Sequence, residues 1–358
     1  MFNLDDRKWK MFMMAEIFKV DLSKGDNQPS LLEEGSYPLI SAGTKNNGVC
    51  SFIKEGDGKS QLFEKNTITV DMFGTPFYHA YDFYSVSHGR VNILTAISEK
   101  FNKYIGLFIV SCIKEGTKIK YTYNKMCSQK RILRQPIMLP ITDDGQPDYE
   151  FMEQYIKERE MVKREQYLAY CKEQLKIFGG GYNLIPLADK KWKPFFIGGK
   201  NGLFEIYSGK RLTASNMNDG GCPFIGATDS NNGITNWVSN KNETYDSNVL
   251  GVNYNGSVVE NFYHPYYCIF SDDVKRLHLR NYEDNPFVLL FFSRLILMQK
   301  AKYTYGYKFN GARMNRQKIL VPITSGGDPD YDYMEKYSKN LMRKKIQSYI
   351  DYASKPIL

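Results

Sequence analysis

The sequence predicts an α+β protein in which one mostly-β domain plan is used twice, each copy running into a long helix. Three observations predict it. The first is an internal repeat. Lys118–Lys157 and Lys300–Lys339 align without a gap, with Lys120-Tyr121-Thr122-Tyr123 answering Lys302-Tyr303-Thr304-Tyr305 at an offset of 182 residues. Arg131, Arg134 and Gln135 answer Arg313, Arg316 and Gln317, and Pro147-Asp148-Tyr149 answers Pro329-Asp330-Tyr331. A period this long exceeds a solenoid unit and marks a duplicated domain. The second is a looser set of anchors upstream. Lys8-Trp9-Lys10 answers Lys191-Trp192-Lys193, and Asn46-Asn47-Gly48 answers Asn231-Asn232-Gly233. The third is a run free of Gly and Pro, Tyr149–Phe178, which recurs after Pro329 and extends to Ala353.

Taken in order, residues 1–145 alternate short apolar runs with turn signals such as Glu34-Gly35-Ser36 and Glu55-Gly56-Asp57-Gly58, a pattern of short strands. Thr67–Met72 reads as a strand by its β-branched content, and Lys100–Lys114 as a buried helix because its apolar run exceeds strand length. Pro136–Thr142 and Lys318–Thr324 read as core strands. Asp148 is placed to cap the helix that follows, since its carboxylate accepts the free amides of a first turn. At 1.5 Å per residue that helix makes a rod of roughly 45 Å. Met152, Tyr155, Val162 and Leu168 form its apolar stripe, and Met334, Tyr337, Leu341 and Ile350 form that of the second helix. A helix of that length needs a cover for its stripe. The expectation is that the two helices cover each other as a pseudo-twofold rod that serves as a ruler. The alternative is that each packs back on its own domain. The predicted boundaries are 1–146 and 191–326 for the domains, 147–178 and 327–354 for the helices, and 179–190 for the linker begun by Gly179-Gly180-Gly181.

With 358 residues, the chain can bury two cores, and 42% hydrophobic with 15% aromatic residues fit a folded protein. A net charge of +9 and a pI near 9.0 favour an acidic partner, nucleic acid or a membrane surface. The six cysteines are scattered without a CxxC pair, so neither a zinc site nor disulfides are expected. The N-terminal MFNLDDRKWK has early acids and no apolar core, so no signal peptide is expected. The most apolar run, Phe287–Met298, is too short to span a bilayer and reads as a buried helix. These features together predict a cytoplasmic protein with reduced thiols and no membrane partner.

Signals of catalysis are weak. There is no phosphate-binding glycine loop and no metalloprotease motif, and His79, His88, His264 and His278 stand isolated in the sequence. Asp284-Asn285-Pro286-Phe287 is a faint echo of an amino-methyltransferase motif, and Pro147-Asp148 of a nuclease one; helix starts explain both better. No catalytic residue or metal ligand is assigned. Signals suited to DNA are stronger. In the segment 118–134, Lys118, Lys120, Lys130, Arg131 and Arg134 interleave with Tyr121 and Tyr123 and with no acid. Its counterpart carries Lys300, Lys302, Lys308, Arg313 and Arg316 with Tyr303 and Tyr305. Such groups suit phosphates, and amides on well-held loops suit base edges. The loops holding Lys45, Asn46 and Asn47 in one half and Asp229, Asn231 and Asn232 in the other are therefore candidate readers. A solvated basic face and a plain Asn-Gly turn are the alternatives.

This arrangement resembles the DNA specificity (S) subunits of type I restriction-modification systems and the related type IIB subunits. The carriers are the Trp near each start, the Pro-Leu/Phe-Ile and Asn-Asn-Gly segments, and the Pro-Ile-Thr…Gly-x-Pro-Asp-Tyr…Met-Glu run before each helix. The resemblance covers nearly the whole chain. It implies two target recognition domains, each reading half of a split duplex DNA sequence, with the helices paired as an antiparallel coiled coil. It implies a subunit without catalytic site or cofactor of its own. Methyl transfer from S-adenosylmethionine to adenine N6 falls to methyltransferase (M) subunits. Cleavage, with Mg2+ and ATP in type I systems, falls to a restriction (R) subunit or to a nuclease fused to M. The competing readings are a stand-alone methyltransferase or nuclease, and an assembly or inhibitor protein without sequence preference.

Overall fold

The computed structural model describes residues 2–86, 91–304 and 306–354. The chain divides into two compact units, Met1–Tyr167 and Leu168–Leu358. Unit 1 runs β1 (Trp9–Met13), α1 (Met14–Ile17), β2 (Phe18–Leu22), β3 (Glu34–Ile40), β4 (Val49–Ile53), β5 (Thr67–Asp71), β6 (Pro76–His79), β7 (Tyr84–Ser85), β8 (Val91–Ala96), α2 (Lys103–Thr117), α3 (Gln129–Leu133), β9 (Pro136–Pro140) and α4 (Tyr149–Phe178), which ends in unit 2. Unit 2 repeats the plan with β10 (Trp192–Phe196), β11 (Phe204–Ser208), β12 (Asp219–Ile225), β13 (Ile234–Val238), β14 (Val249–Asn253), β15 (Asn261–His264), β16 (Ile269–Phe270), β17 (Val274–Leu279), α5 (Pro286–Leu297), α6 (Gly311–Arg316), β18 (Lys318–Pro322) and α7 (Tyr331–Ala353).

Each unit holds a four-stranded sheet, β2-β8-β5-β6 or β11-β17-β14-β15, and a three-stranded one, β4-β3-β7 or β13-β12-β16. An antiparallel ribbon, β1-β9 or β10-β18, completes it. The central strand β5 explains the layering. All of Thr67–Asp71 is buried, because both faces are covered. Ile68 and Val70 pack with Leu94 and the α2 residues Ile105, Ile109 and Ile113. On the other face, Ile93 of β8 joins Leu39, Ile40 and Ile53 of the small sheet in a second core. Helix α2 starts where the Asn102 side chain accepts the amides of Tyr104 and Ile105, and α5 where Asn285 accepts those of Phe287 and Val288. Asn285-Pro286-Phe287 is thus a helix start with Pro at the first position.

The long helices open as the sequence predicts, with Asp148 Oδ1 accepting the Phe151 amide at 2.9 Å and Asp330 Oδ1 accepting that of Tyr333 at 3.1 Å. Their first turns correct one expectation. Met152 and Met334, assigned to a stripe between helices, are fully buried in the cores of their own units. Tyr155 stands edge-on to Phe108 and Tyr337 edge-on to Phe291, each at 5.7 Å. The start of each helix packs against α2 or α5 of its own unit, and a 3.6-residue period cannot tell which neighbour covers it. Farther along, Val162, Leu168 and Ile350 are half-buried and Leu341 is exposed. Within unit 2 the linker is strapped to α7. The Tyr182 backbone exchanges hydrogen bonds with the Asn340 amide side chain at 2.9 and 2.7 Å, and Tyr333 donates to the Ile185 carbonyl at 2.8 Å.

Candidate nucleic-acid interface

The two sequence-predicted reading elements of unit 1 meet on a third that sequence reasoning missed, the turn between β5 and β6. Asp71 organises it. Its Oδ1 accepts the amides of Phe73 and Thr75 at 2.9 and 2.8 Å, and its Oδ2 accepts the Gly43 amide at 3.2 Å, drawing in the Asn-Asn-Gly loop. On the opposite flank the basic segment is tied down. Thr117 Oγ1 donates to the Gly74 carbonyl at 2.7 Å, and the Cys127 amide to the Met72 carbonyl at 2.8 Å. Gly74 has φ +85°, and a Cβ there would lie 2.7 Å from the Tyr121 ring, so the close approach needs glycine. Exposed Phe73 tops the turn, with Lys45 and Asn46 on the loop side and Lys118, Tyr123, Lys125 and Lys130 on the segment side.

Unit 2 rebuilds this junction with different chemistry. Asn253 replaces Asp71 and donates from Nδ2 to the Thr228 carbonyl at 2.9 Å, and the Ser257 amide donates to the Ala227 carbonyl at 3.1 Å. The turn lengthens to Asn253–Glu260, and Glu260 pairs with Lys300. Same frame, different loop length and different outward groups: this suits two readers of different sequences.

Several assigned residues also make hydrogen bonds within their own unit. Tyr121 and Tyr303 are buried, and their hydroxyls donate to Gln135 Oε1 at 3.1 Å and Gln317 Oε1 at 2.6 Å. Lys120 donates to the same Gln135 oxygen at 2.7 Å, and Lys302 to Gln299 Oε1 at 2.7 Å. Arg131 and Arg313 each brace their segment by donating from Nη1 to the carbonyl five residues earlier, Met126 and Lys308, at 2.7 Å. Arg313 also lies 3.8 Å over the Tyr307 ring. Asn47 and Asn232 are turn-makers, with φ +52° and +54°, a region asparagine tolerates. The Asn232 side chain donates from Nδ2 to the Tyr266 hydroxyl at 2.8 Å. Counted from these asparagines, Asp229 stands opposite Thr44, so it is not the counterpart of Lys45. Lys45, Asn46, Asn231, Asp229, Lys118, Tyr123, Lys130, Arg134 and Arg316 remain exposed, with Lys308 half-buried. Tyr305 and His88 lie outside the described residues.

The described histidines do not gather into a reactive site, and one of them is not isolated. Burial pushes His79 and His264 down to about 4, keeping both rings neutral. His278 bridges two carboxylates, with Nε2 3.0 Å from Asp246 Oδ2 and Nδ1 2.7 Å from Asp284 Oδ2, and Arg276 joins Asp246 at 2.7 Å. Its hydrogen bonds to Asp246 and Asp284 lift it to about 9. Asp284 also accepts the Leu279 amide at 2.8 Å, so the network staples the lead-in of α5 to β17. Among the described residues no cluster of three or more metal-ligating side chains forms, and no helix is long and apolar enough to cross a membrane.

The comparisons with known proteins agree with this duplicated plan. The family model for the type I restriction modification DNA specificity domain matches twice, over residues 6–169 and 189–349. The chain is 38% identical over 344 residues to the specificity subunit S.BcgI of the type II restriction enzyme BgcI from Heyndrickxia coagulans, covering 95% of this chain and 96% of that one. A solved S subunit of a type I restriction-modification system from M. genitalium shares the fold, with a TM-score of 0.53 at 13% identity, over 99% of this chain and 94% of the other. The chain belongs to the type I restriction modification DNA specificity family, as a non-catalytic specificity subunit with two recognition domains.

Proposed function

We propose that this chain reads a bipartite, asymmetric duplex target, one half-site per unit, and directs adenine-N6 methyltransferase (M) subunits and a nuclease to it. The observation that carries the reading is the junction built twice around Asp71 and Asn253, with one frame and two sets of outward groups. Exposed Lys45, Lys118 and Lys130 supply phosphate contacts, and Asn46, Asn231 and the turn residues face base edges. The remote parts of α4 and α7 pair as an antiparallel coiled coil that sets the distance between half-sites. The chain carries no cofactor of its own. S-adenosylmethionine belongs to the M subunits, and Mg2+, with ATP in a type I assembly, to the nuclease. The likeness to a subunit of a type II restriction enzyme favours a nuclease fused to M over a separate R subunit. The complex works in the cytoplasm, where genomic DNA is its substrate.

Co-expression with the M subunit, followed by methylation mapping of genomic DNA, tests this. A split, asymmetric methylated motif that appears only with this chain is the expected result. Methylation indifferent to the chain sinks the reading.

A further inference from the structure

We propose that Phe73 is an apolar base reader, its ring set against the 5-methyl group of a thymine in the half-site that unit 1 reads. The inference rests on the function proposed above and names one contact of that same site. Phe73 lies on the turn between β5 and β6, is 41% exposed, and belongs to neither core of unit 1. A single exposed apolar side chain is ordinary on a protein surface. Three features set this one apart.

The first is how firmly it is held. The Phe73 amide donates to Asp71 Oδ1 at 2.9 Å. The Met72 carbonyl before it accepts the Cys127 amide at 2.8 Å, and the Gly74 carbonyl after it accepts from Thr117 Oγ1 at 2.7 Å. A ring carried on backbone fixed at three successive residues loses little freedom on binding. The second is what flanks it. Asp71, the acid of the turn, uses both carboxylate oxygens on the amides of Phe73, Thr75 and Gly43. The loop on one flank carries exposed Lys45, and the segment on the other carries exposed Lys118 and Lys130. Lys118 meets Glu115 at 3.8 Å with both side chains in water, a pair that a phosphate can displace. An apolar ring between two cationic flanks fits a duplex groove with phosphates along both walls. The third is unit 2. Counted from Asp71 and Asn253, Asn255 stands where Phe73 does, and its Nδ2 donates to Asp273 Oδ1 at 2.9 Å. The longer turn there buries its apolar residues Val258 and Val259 in the core. Tyr254, the aromatic residue of that turn, is half-buried with Lys275 4.9 Å over its ring. The shared frame therefore does not require an outward ring at this place.

The chemistry of the ring selects the base. A phenyl group has neither donor nor acceptor to offer a base edge. The minor groove shows acceptors and the guanine amino group, whereas the major groove also shows an apolar group, the 5-methyl of thymine. Insertion between stacked bases is another use of such a ring, and it costs unstacking at each step. The neighbours Lys45 and Asn46 suit the phosphates and base edges of an intact duplex.

The test uses the full chain assembled with its methyltransferase subunit, on duplexes carrying the target found by methylation mapping. Each thymine is replaced in turn by deoxyuridine, which removes the methyl and keeps every hydrogen-bonding group. Wild type is expected to bind roughly fourfold more weakly at one such position, the worth of one buried methyl. Phe73→Asn, the residue of unit 2, is expected to erase that ratio, and Phe73→Leu to keep part of it. Each ratio is taken within one protein, so a lower folded fraction in a variant cancels. A wild type indifferent to every replacement, or a target without thymine, overturns the inference. So does a thymine preference that Phe73→Asn leaves intact. A loss of binding by Phe73→Asn that is equal for thymine and deoxyuridine duplexes, with wild type alone raising the fluorescence of 2-aminopurine in the half-site, also overturns it and makes the ring a wedge between bases. A wild-type complex that favours no sequence overturns the proposed function instead, and does so before any deoxyuridine is introduced.

Discussion

Thr69 and His79 face each other across the β5-β6 pair with Oγ1 2.7 Å from Nε2, and in unit 2 Gly251 stands where Thr69 does. His264 Nε2 is consequently buried with no hydrogen-bond partner among the described residues. A Cβ at Gly251 would lie 2.9 Å from that nitrogen and 3.1 Å from the Phe270 ring, so unit 2 has no room for the missing hydroxyl. Thr69→Val should therefore give unit 1 the same defect and cost about 1–3 kcal/mol, the penalty of an unsatisfied buried polar group. Gly251→Ala should cost a similar amount, about 1–3 kcal/mol, by overpacking. Urea midpoints report both, and an unchanged midpoint for Thr69→Val would show that the hydroxyl contributes nothing.

The histidines predict a two-sided pH dependence. His79 and His264 are held neutral down to about 4, whereas the unfolded chain takes up protons below about 6.5. Their contribution is intact above the unfolded value and is lost as pH falls from there toward 4. His278 is the opposite case. Its bonds to Asp246 and Asp284 raise it to about 9, so its contribution is complete below about 6.5 and disappears as pH rises through 9. His278→Gln should flatten the alkaline limb of a stability profile between pH 6 and 10, roughly the window those values define. Coincident alkaline limbs for the variant and wild type would count against the bridge.

The duplicated plan was legible because a repeat needs no tertiary knowledge, and the caps Asp148 and Asp330 because they act within three residues of themselves. What escaped depends on contacts distant in sequence. Tyr121 and Tyr303, set among lysines, read as surface aromatics, yet each is buried in the core of its unit and bonded to a glutamine 14 residues away. Those glutamines had matched across the repeat with no role to attach to them. Met152 and Met334 carry the same period whether α2 and α5 or another helix covers them. The turn after β5 was silent because its weight comes from Gly43, Cys127 and Thr117, brought to it only by folding. His278 looked isolated because Asp246 lies 32 residues before it and Asp284, six residues after it, reaches it only once the chain past β17 folds back.

The exposed lysines and the buried tyrosines predict opposite phenotypes. Lys45→Ala and Lys130→Ala should leave the melting temperature alone and lower the slope of log K against log salt by about 0.9 for each phosphate contact removed. Tyr121→Phe removes a buried hydroxyl from Gln135 and should cost about 1 kcal/mol of stability with the salt slope unchanged. Binding isotherms of the assembled complex at several salt concentrations separate the two. A steeper change in slope for Tyr121→Phe than for Lys45→Ala would reverse the assignment of scaffold and surface.

The ruler is tested where the structure leaves it exposed. The linker is strapped to α7 through Tyr182, Asn340 and Tyr333, so added linker residues have a place to loop out without moving either unit. Insertion in the body of α4 offers no such escape. About four residues placed between Lys163 and Leu168 add little more than one turn and about 6 Å. The apolar stripe then keeps nearly its original facing. At 3.4 Å per base pair, that length should add about two base pairs to the tolerated spacer while leaving the bases of each half-site as they were. Methylation mapping of the insertion variant reads both quantities at once. Changed bases with a constant spacer would mean that α4 positions the recognition loops, and that the distance between half-sites is set elsewhere.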